Sequence, residues 1–204
     1  MICIQVRNRK IAHISQRTRS LIPMKRLSLL SLILILLFST QACKNPNLIR
    51  PGEPLDSAYK KAMNLYEKER YGDAINAFEA ITRVGRGTEF AQDAQYYLAE
   101  AYYKNNDFLL AASEYERFVA FYPNDSRREE VDFKIALCYK ELSPRFKLDQ
   151  SDTIRALEAF QLFNNRYPDS ELVLESAKHI DELRSKLAKK YYMAADFYLR
   201  TDRL

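Results

Sequence analysis

A pattern that recurs every 37 residues constrains this chain more than any other feature. Four columns of residues keep this interval through three successive units: Tyr59, Tyr96 and Phe133; Ala62, Ala99 and Ala136; Leu65, Tyr102 and Tyr139; Tyr66, Tyr103 and Lys140. Within each unit these positions follow helical spacing. A match of four columns across three units predicts one supersecondary element that is repeated along the chain.

A second helix follows the first in each unit. In the first two units its positions keep the same interval, with Tyr71, Ala74 and Phe78 matched by Phe108, Ala111 and Tyr115. In the third unit the register slips by eight residues, since Ala111 and Ala156 are 45 apart, as are Pro123 and Pro168. The slip lies between the paired helices, so residues 143–150 are predicted to form an enlarged turn.

Residues 92–125 show the unit most fully. They form two amphipathic helical patterns with a polar break at residues 105–107, small residues at Ala99 and Ala111, and Pro123 at the end. Small residues allow paired helices to approach closely. This order resembles the tetratricopeptide (TPR) repeat, a helix–turn–helix unit of about 34 residues. The resemblance implies an all-α fold, a right-handed α-solenoid of TPR repeats.

The predicted TPR domain begins at residue 55 and contains four units: about 55–91, 92–128, 129–170 and an incomplete fourth at 171–204. Asp56 or Ser57 is the expected N-cap of the first helix, and residues 126–129 form a capping-box pattern before the third unit. Leu204 matches the place where the second helix of the fourth unit would begin. We therefore interpret the sequence as C-terminally truncated.

Residues 24–42 are predicted to be a secretory signal peptide. Lys25 and Arg26 precede an apolar run at 27–38, which is too short to span a bilayer comfortably. The run ends in a small-residue approach to Cys43 that resembles the lipobox of bacterial lipoproteins. This resemblance implies a covalent lipid on Cys43.

The segments on either side of the signal peptide have their own predicted roles. Residues 43–54 carry three prolines and read as a lipid-anchored tether. Residues 1–23 are interpreted as a wrongly assigned N-terminal extension, so that Met24 would be the true first residue of the protein. The alternative to a lipoprotein signal is an ordinary cleaved signal peptide, in which case Cys43 has no role in lipid attachment.

The net charge of +5 does not describe the repeat region. Residues 1–43 contain seven basic residues and no acidic one, which leaves 25 basic and 27 acidic residues in the rest of the chain. The repeat region is therefore close to neutral. The charge gives no support to nucleic-acid binding.

The repeat region lacks the residue combinations of a catalytic or metal centre. His179 stands on a charged helical pattern without a cysteine or histidine at ligand spacing, and a surface position is expected. Cys138 lies between apolar helical neighbours and is expected to be a small packing residue. No glycine-rich phosphate loop occurs. We therefore expect no enzymatic activity and no metal or cofactor.

In TPR proteins the first helix of each pair lines the concave groove, which implies a binding groove on the first helices of this chain. Its predicted members are Tyr59, Met63, Tyr66, Glu67, Tyr96, Glu100, Tyr103, Lys104, Phe133, Leu137 and Lys140. Tyrosines combine an apolar ring with a polar tip, as peptide-binding surfaces often require. The alternative is that some of these side chains pack between helices, above all Tyr59, Tyr96 and Phe133.

Several features together resemble the BamD family, the TPR lipoproteins of the outer-membrane β-barrel assembly machinery. They are the lipobox-like Cys43, the proline-bearing tether, the TPR units, the string RSKLA at 184–188 before a tyrosine-rich continuation, the enlarged turn before residues 156–160, and the tyrosine–proline pairs at 122–123 and 167–168.

The resemblance implies an outer-membrane scaffold that is lipid-anchored at the periplasmic face. In the family the N-terminal repeats engage the C-terminal segments of unfolded outer-membrane proteins, and the C-terminal repeats contact the barrel subunit BamA. Other assembly-machinery lipoproteins are further implied partners. The family usually has five repeats. The alternative is another periplasmic TPR lipoprotein scaffold, for envelope division or polysaccharide export.

Overall fold

The computed structural model describes Ile49 and residues 52–201. This part of the chain contains seven α-helices and no β-strand: α1 (Leu55–Glu67), α2 (Tyr71–Val84), α3 (Glu89–Lys104), α4 (Phe108–Phe121), α5 (Arg128–Leu142), α6 (Ser151–Arg166) and α7 (Val173–Arg200). The predicted all-α fold is confirmed. The predicted signal peptide, Cys43 and Leu204 lie outside the described residues.

The helices form two layers. Each helix packs against the next one along the chain, and α1 also contacts α3. An ion pair of 3.4 Å joins Lys140 on α5 to Glu182 on α7, and Asp93 on α3 pairs at 2.9 Å with Arg127, which precedes α5. The first-helix layer therefore consists of α1, α3, α5 and α7, and the second-helix layer consists of α2, α4 and α6.

Completely buried alanines hold the paired helices close together. The alanines of the predicted columns all have zero exposure: Ala62, Ala99, Ala136, Ala74, Ala111 and Ala156. A larger side chain at these points would force the helix axes apart. Phe78, Tyr115 and Phe160, equally buried, occupy equivalent positions on the three second helices. Burial of such a phenylalanine contributes about 1.5–3 kcal/mol, so small and large residues in fixed register build the core.

The enlarged turn lies where the register slip predicts it, between the last residue of α5 and the first of α6. Gln150, which is only 4% exposed, organises residues 143–150. Its Nε2 donates hydrogen bonds to the carbonyl oxygens of Arg145 at 3.0 Å and Leu148 at 3.1 Å. Lys190 on α7 donates to the same Leu148 carbonyl at 2.7 Å. Lys186 on α7 also donates to the Ser143 hydroxyl at 2.7 Å, so the buried amide orders the turn internally and two lysines hold it against α7.

Two helix starts differ from the predicted caps. The first helix begins at Leu55, before both predicted N-caps, and Pro54 occupies the capping position without a side-chain hydrogen bond. Proline suits a helix start because its fixed φ is already helical. Before α5, Ser126 gives no capping bond, and Asp125 Oδ1 accepts a hydrogen bond from the Arg127 backbone N–H at 2.7 Å. The predicted capping box is wrong because a tighter local turn takes its place.

Sequence context predicts the burial of Cys138 correctly but not that of His179. Cys138 has zero exposure, which confirms its packing role, and burial raises the pKa of its thiol to about 12. The predicted surface position of His179 is wrong, since only 13% of its side chain is exposed. Its ring lies 5.1 Å from the ring of Phe160 and 6.4 Å from that of Phe133. The prediction was wrong because the charged sequence neighbours of His179 gave no indication of this apolar contact.

The turns within the first two units share one backbone conformation. Glu69 has a φ of 57° and the equivalent Asn106 has a φ of 64°. Arg70 N–H bonds to the Leu65 carbonyl at 2.9 Å, just as Asp107 N–H bonds to the Tyr102 carbonyl at 2.9 Å. This is the Schellman ending of a helix, which favours glycine or asparagine at the left-handed position.

Replacement of Glu69 by asparagine is therefore expected to stabilise the fold. A glutamate with positive φ is strained, whereas asparagine adopts this region readily. Glu69→Asn is expected to raise the free energy of unfolding by about 0.5–1 kcal/mol, measured by urea denaturation. Asn106→Ala, at the equivalent turn, is expected to lower it. A Glu69→Asn variant no more stable than the parent would contradict this account of the turn.

Candidate binding surface

A cluster of aromatic rings joins the first two units in the first-helix layer. The ring of Tyr97 on α3 lies 6.5 Å from Tyr59 and 5.5 Å from Tyr66, both on α1. It also stacks on Phe78 of α2 at 5.9 Å. Tyr59, Tyr66 and Tyr97 are half-buried, so each ring packs on one side and reaches the surface on the other. The rings form a rigid apolar surface that carries hydroxyl groups.

The hydroxyl of Tyr66 stays protonated over the whole physiological range. Burial, followed by the nearby Glu100 carboxylate, raises the pKa of Tyr66 to about 12. Burial likewise raises the pKa of Tyr59 to about 12. Both phenols therefore remain available as neutral hydrogen-bond donors. Neutral donors beside apolar rings suit the recognition of an extended backbone.

The predicted groove residues divide into two groups. Tyr96, Glu100 and Phe133 are buried, with 9%, 8% and 5% exposure, so they pack between helices instead of lining an open groove. The other predicted members reach the surface: Tyr59, Met63, Tyr66, Tyr103, Leu137 and Lys140 are half-buried, and Glu67 and Lys104 are exposed. For Tyr96 and Phe133 the structure favours the packing alternative. The binding role of the surface members stays a prediction.

Glu100 is the buried carboxylate of a partly exposed ionic network between the second and third units. Its carboxylate accepts hydrogen bonds from the Tyr115 hydroxyl and from Lys134 Nζ. Lys134 also contacts Glu130 at 2.7 Å and the Tyr96 hydroxyl at 3.1 Å. The Tyr96 hydroxyl in turn donates to Glu130 at 3.0 Å. Every polar side chain in this network therefore has a partner.

Lys134 and Glu130 are both held in their ionised forms by this network. Burial lowers the pKa of Lys134, but Glu100 and Glu130 raise it by more, so the net pKa lies above its ordinary value. Burial raises the pKa of the Glu130 carboxyl, but the hydrogen bond and charge of Lys134, together with the Tyr96 hydrogen bond and the charge of Arg127, lower the pKa by more. A buried charge is tolerated only when it is paired in this way. The network therefore joins α3 to α5 electrostatically.

Arg127 forms a second junction at the same interface. Its guanidinium pairs with Asp93 at 2.9 Å and with Asp125 at 2.8 Å. The same group lies over the rings of Tyr96 at 4.7 Å and Phe118 at 5.2 Å. Cation–π contact and bidentate pairing both favour arginine over lysine here. Hydrogen bonds from Arg127 lower the pKa of Asp125 well below its ordinary value.

Sequence reasoning missed Tyr97, Arg127 and Lys134. Tyr97 and Lys134 share a column, since they are 37 residues apart, but the column changes chemistry from one unit to the next. A search for repeated residue types therefore passes over it. A search for opposite charges about one repeat apart could have found Lys134 and Glu100.

Solved structures show which architecture this arrangement shares. A crystal structure of a kinesin light chain of Podospora anserina with nearly identical TPR-like repeats superposes with a TM-score of 0.52 and covers 89% of each chain. A second structure of that protein superposes with a TM-score of 0.51. Sequence identities are 13% and 15%, so the similarity concerns the fold alone. The predicted TPR repeats are confirmed.

Sequence comparison gives a closer relationship. Residues 52–204, about three quarters of the chain, match the family described as YfiO, outer membrane lipoprotein. The chain belongs to the YfiO family. This membership confirms the resemblance that the repeats and the tyrosine–proline pairs carry.

Several proteins with similar sequences are named outer membrane protein assembly factor BamD. The protein of Caulobacter vibrioides is 24% identical over 77% of this chain and 52% of its own length. The protein of Aquifex aeolicus is 31% identical over 83% of this chain and 56% of its own length. The protein of Vibrio cholerae is 27% identical over 84% of this chain and 74% of its own. The chain thus spans about half the length of the first two relatives.

The described part of this YfiO-family chain gives two further findings. No cluster of three or more histidine, cysteine or acidic residues that could hold a metal ion occurs in Ile49 and residues 52–201. Across these same residues, no helix combines the length and the apolar character that a membrane crossing requires.

The junction at Arg127 predicts acid-sensitive stability. Asp125→Asn removes a charged hydrogen-bond acceptor and is expected to lower the free energy of unfolding at pH 7 by about 1.5–3 kcal/mol. Because the folded pKa of Asp125 is depressed, its stabilisation is present above the ordinary value of 3.8 and is lost as pH falls below it. The gap between parent and variant, measured by urea denaturation, is therefore expected to close towards pH 2.

The exposed Asp169 provides a matched control. Asp169→Asn is expected to leave stability within about 0.5 kcal/mol of the parent at every pH. A constant gap between parent and Asp125→Asn from pH 7 to pH 2 would show that the charge of Asp125 does not stabilise this interface.

Proposed function

We propose that this protein is a non-enzymatic scaffold of outer-membrane protein assembly that binds incoming outer-membrane proteins for folding and insertion. Membership in the YfiO family and the names of its relatives support this proposal. The observation that carries it is the surface of half-buried tyrosines on α1 and α3, with Tyr97 between Tyr59 and Tyr66.

The proposed client segment is the C-terminal strand of an unfolded outer-membrane protein. Such a strand alternates apolar and polar side chains and has unpaired backbone groups until it joins a sheet. Tyr66 and Tyr103 offer apolar ring faces to its aromatic side chains. The exposed Glu67 and Lys104 lie beside them and can satisfy polar groups of an extended peptide.

We propose a second contact, with a BamA-like barrel subunit or another assembly lipoprotein, which the names of the relatives support. The far half of α7 exposes large apolar side chains: Tyr191 at 63%, Tyr192 at 72%, Phe197 at 56% and Leu199 at 62%. In a longer array the second helix of the fourth unit would pack on this face, as neighbouring helices do in stacked repeats, so we do not assign the partner contact to it.

Membrane attachment is proposed to depend on a lipid on Cys43 that holds the protein at the periplasmic face of the outer membrane. Multiple acyl chains are sufficient for stable anchoring. Cys43→Ser is therefore expected to move the protein from the membrane fraction to the soluble periplasmic fraction. Cys138→Ser, at a buried cysteine, is the matched control and is expected to stay with membranes. A Cys43→Ser protein that still sediments with membranes after a high-salt wash would refute the anchor.

Client binding is tested with a labelled strand peptide of about ten residues. The peptide alternates aromatic and polar residues and ends in phenylalanine with a free carboxylate. Tyr66→Ala is expected to weaken its binding by about 1–3 kcal/mol, the usual range for an interface anchor, as measured by fluorescence anisotropy. The loss reflects the apolar surface that the ring presents beside Tyr97.

Tyr139→Ala is the control for this measurement. Tyr139 is also half-buried, but its hydroxyl bonds to Glu116 on α4, towards the second-helix layer. This variant is expected to keep full peptide affinity. Melting temperatures of both variants separate binding from folding. Unchanged peptide affinity in a folded Tyr66→Ala protein would exclude this surface as the client site.

A further inference from the structure

A groove of about 770 Å³ lies in the second-helix layer, on the side of the protein away from the tyrosine surface. It runs between α2 and α4, with α3 as its floor. Arg83 and Arg86 line one wall, Arg117 and Phe121 line the other, and Leu98 contributes to the floor. We call it the basic groove. A volume of this size is in the range of natural ligand sites.

The carboxylates in the basic groove are already engaged. Glu79 accepts a hydrogen bond from the Tyr102 hydroxyl at 2.8 Å. Glu114 accepts one from Gln95 Nε2 at 2.7 Å and pairs with Arg117 at 3.2 Å. Both carboxylates keep their negative charge, so with three arginines and two glutamates in its lining the groove has a small net positive charge.

Arg83 and Arg86 are both exposed and form no ion pair with any described residue. Each guanidinium thus keeps its five N–H donors for a ligand. On the opposite wall, the ring of Phe121 is 68% exposed. The groove combines two uncommitted positive charges with one open apolar ring.

The equivalent groove one repeat later has a different chemistry. It lies between α4 and α6, has a volume of about 700 Å³, and contains Ala120 at the position that matches Arg83. The position that matches Arg86 is Pro123. Arg128 and Arg166, which line this second groove, both pair with Asp132. The free arginines are therefore a feature of the first groove, and the repeat architecture does not require them.

We propose that the basic groove binds a short acidic segment of a partner protein in an extended conformation. Carboxylates of the segment would pair with Arg83 and Arg86, since a guanidinium fork matches a carboxylate in a bidentate manner. An apolar side chain of the same segment would pack on Phe121. The groove runs between two helices with charged and apolar residues on facing walls, which suits a chain that carries both kinds of side chain. This occupant leaves the tyrosine surface free for a client.

The test uses the full chain and two labelled peptides. One peptide contains several Asp and Glu residues and one Phe, and the other replaces each acid by its amide. The protein is expected to bind the acidic peptide at least about tenfold more tightly, with affinity that falls as salt rises. The double variant Arg83→Ala, Arg86→Ala is expected to lose about tenfold in affinity for the acidic peptide.

A matched control removes two other exposed arginines, Arg145 and Arg155, and is expected to bind the acidic peptide like the parent. Saturation with the client strand peptide is expected to leave the affinity for the acidic peptide unchanged, because the two sites lie on different layers. The two proposals can therefore fail separately: loss of client binding would not change the result with the acidic peptide. Equal affinity for both peptides, or full affinity in the Arg83, Arg86 double variant, would overturn the proposal. The proposal would also be overturned if the acidic peptide did not bind and the protein instead bound phosphatidylglycerol vesicles in a way that the Arg83, Arg86 double variant abolished.

Discussion

The close approach of paired helices is the constraint on which the rest of this structure depends. It is possible because alanine occupies the contact points in all three units, with Ala62, Ala99 and Ala136 on the first helices completely buried. With the helix axes fixed by these contacts, the large rings can occupy only the spaces beside them. The register of the rings, the two layers and the surfaces that the layers present all follow from this spacing.

Local periodicity made the architecture predictable from sequence. The repeat interval located the polar turns, and the register slip located residues 143–150, because a change of spacing between two matched columns leaves one place for extra residues. Helix caps were less predictable. At Pro54 and Asp125 several neighbouring residues could have started a helix, and the choice depends on backbone geometry that sequence pattern does not report.

The candidate surface was only partly predictable, since a column shows which positions are equivalent but not how deeply each is buried. Glu100 lies at a groove position by spacing, yet Lys134 and Tyr115 bury it in a network. A carboxylate acquires that role only when its partners arrive from other helices. Tyr97 was missed for the reverse reason, because its column does not repeat an aromatic residue.

The ionic network also bears on how the array unfolds. Stacked repeats often lose their terminal units separately, because each unit contacts only its neighbours. Between the first and second units the junction is mainly aromatic, whereas between the second and third it includes buried charges at Glu100 and Lys134. Separation there breaks this ion pair and its hydrogen bonds as well as apolar contacts. The two junctions thus differ in kind: the first is lost with ring contacts alone, whereas the second is lost only together with the pairing of Glu100 and Lys134.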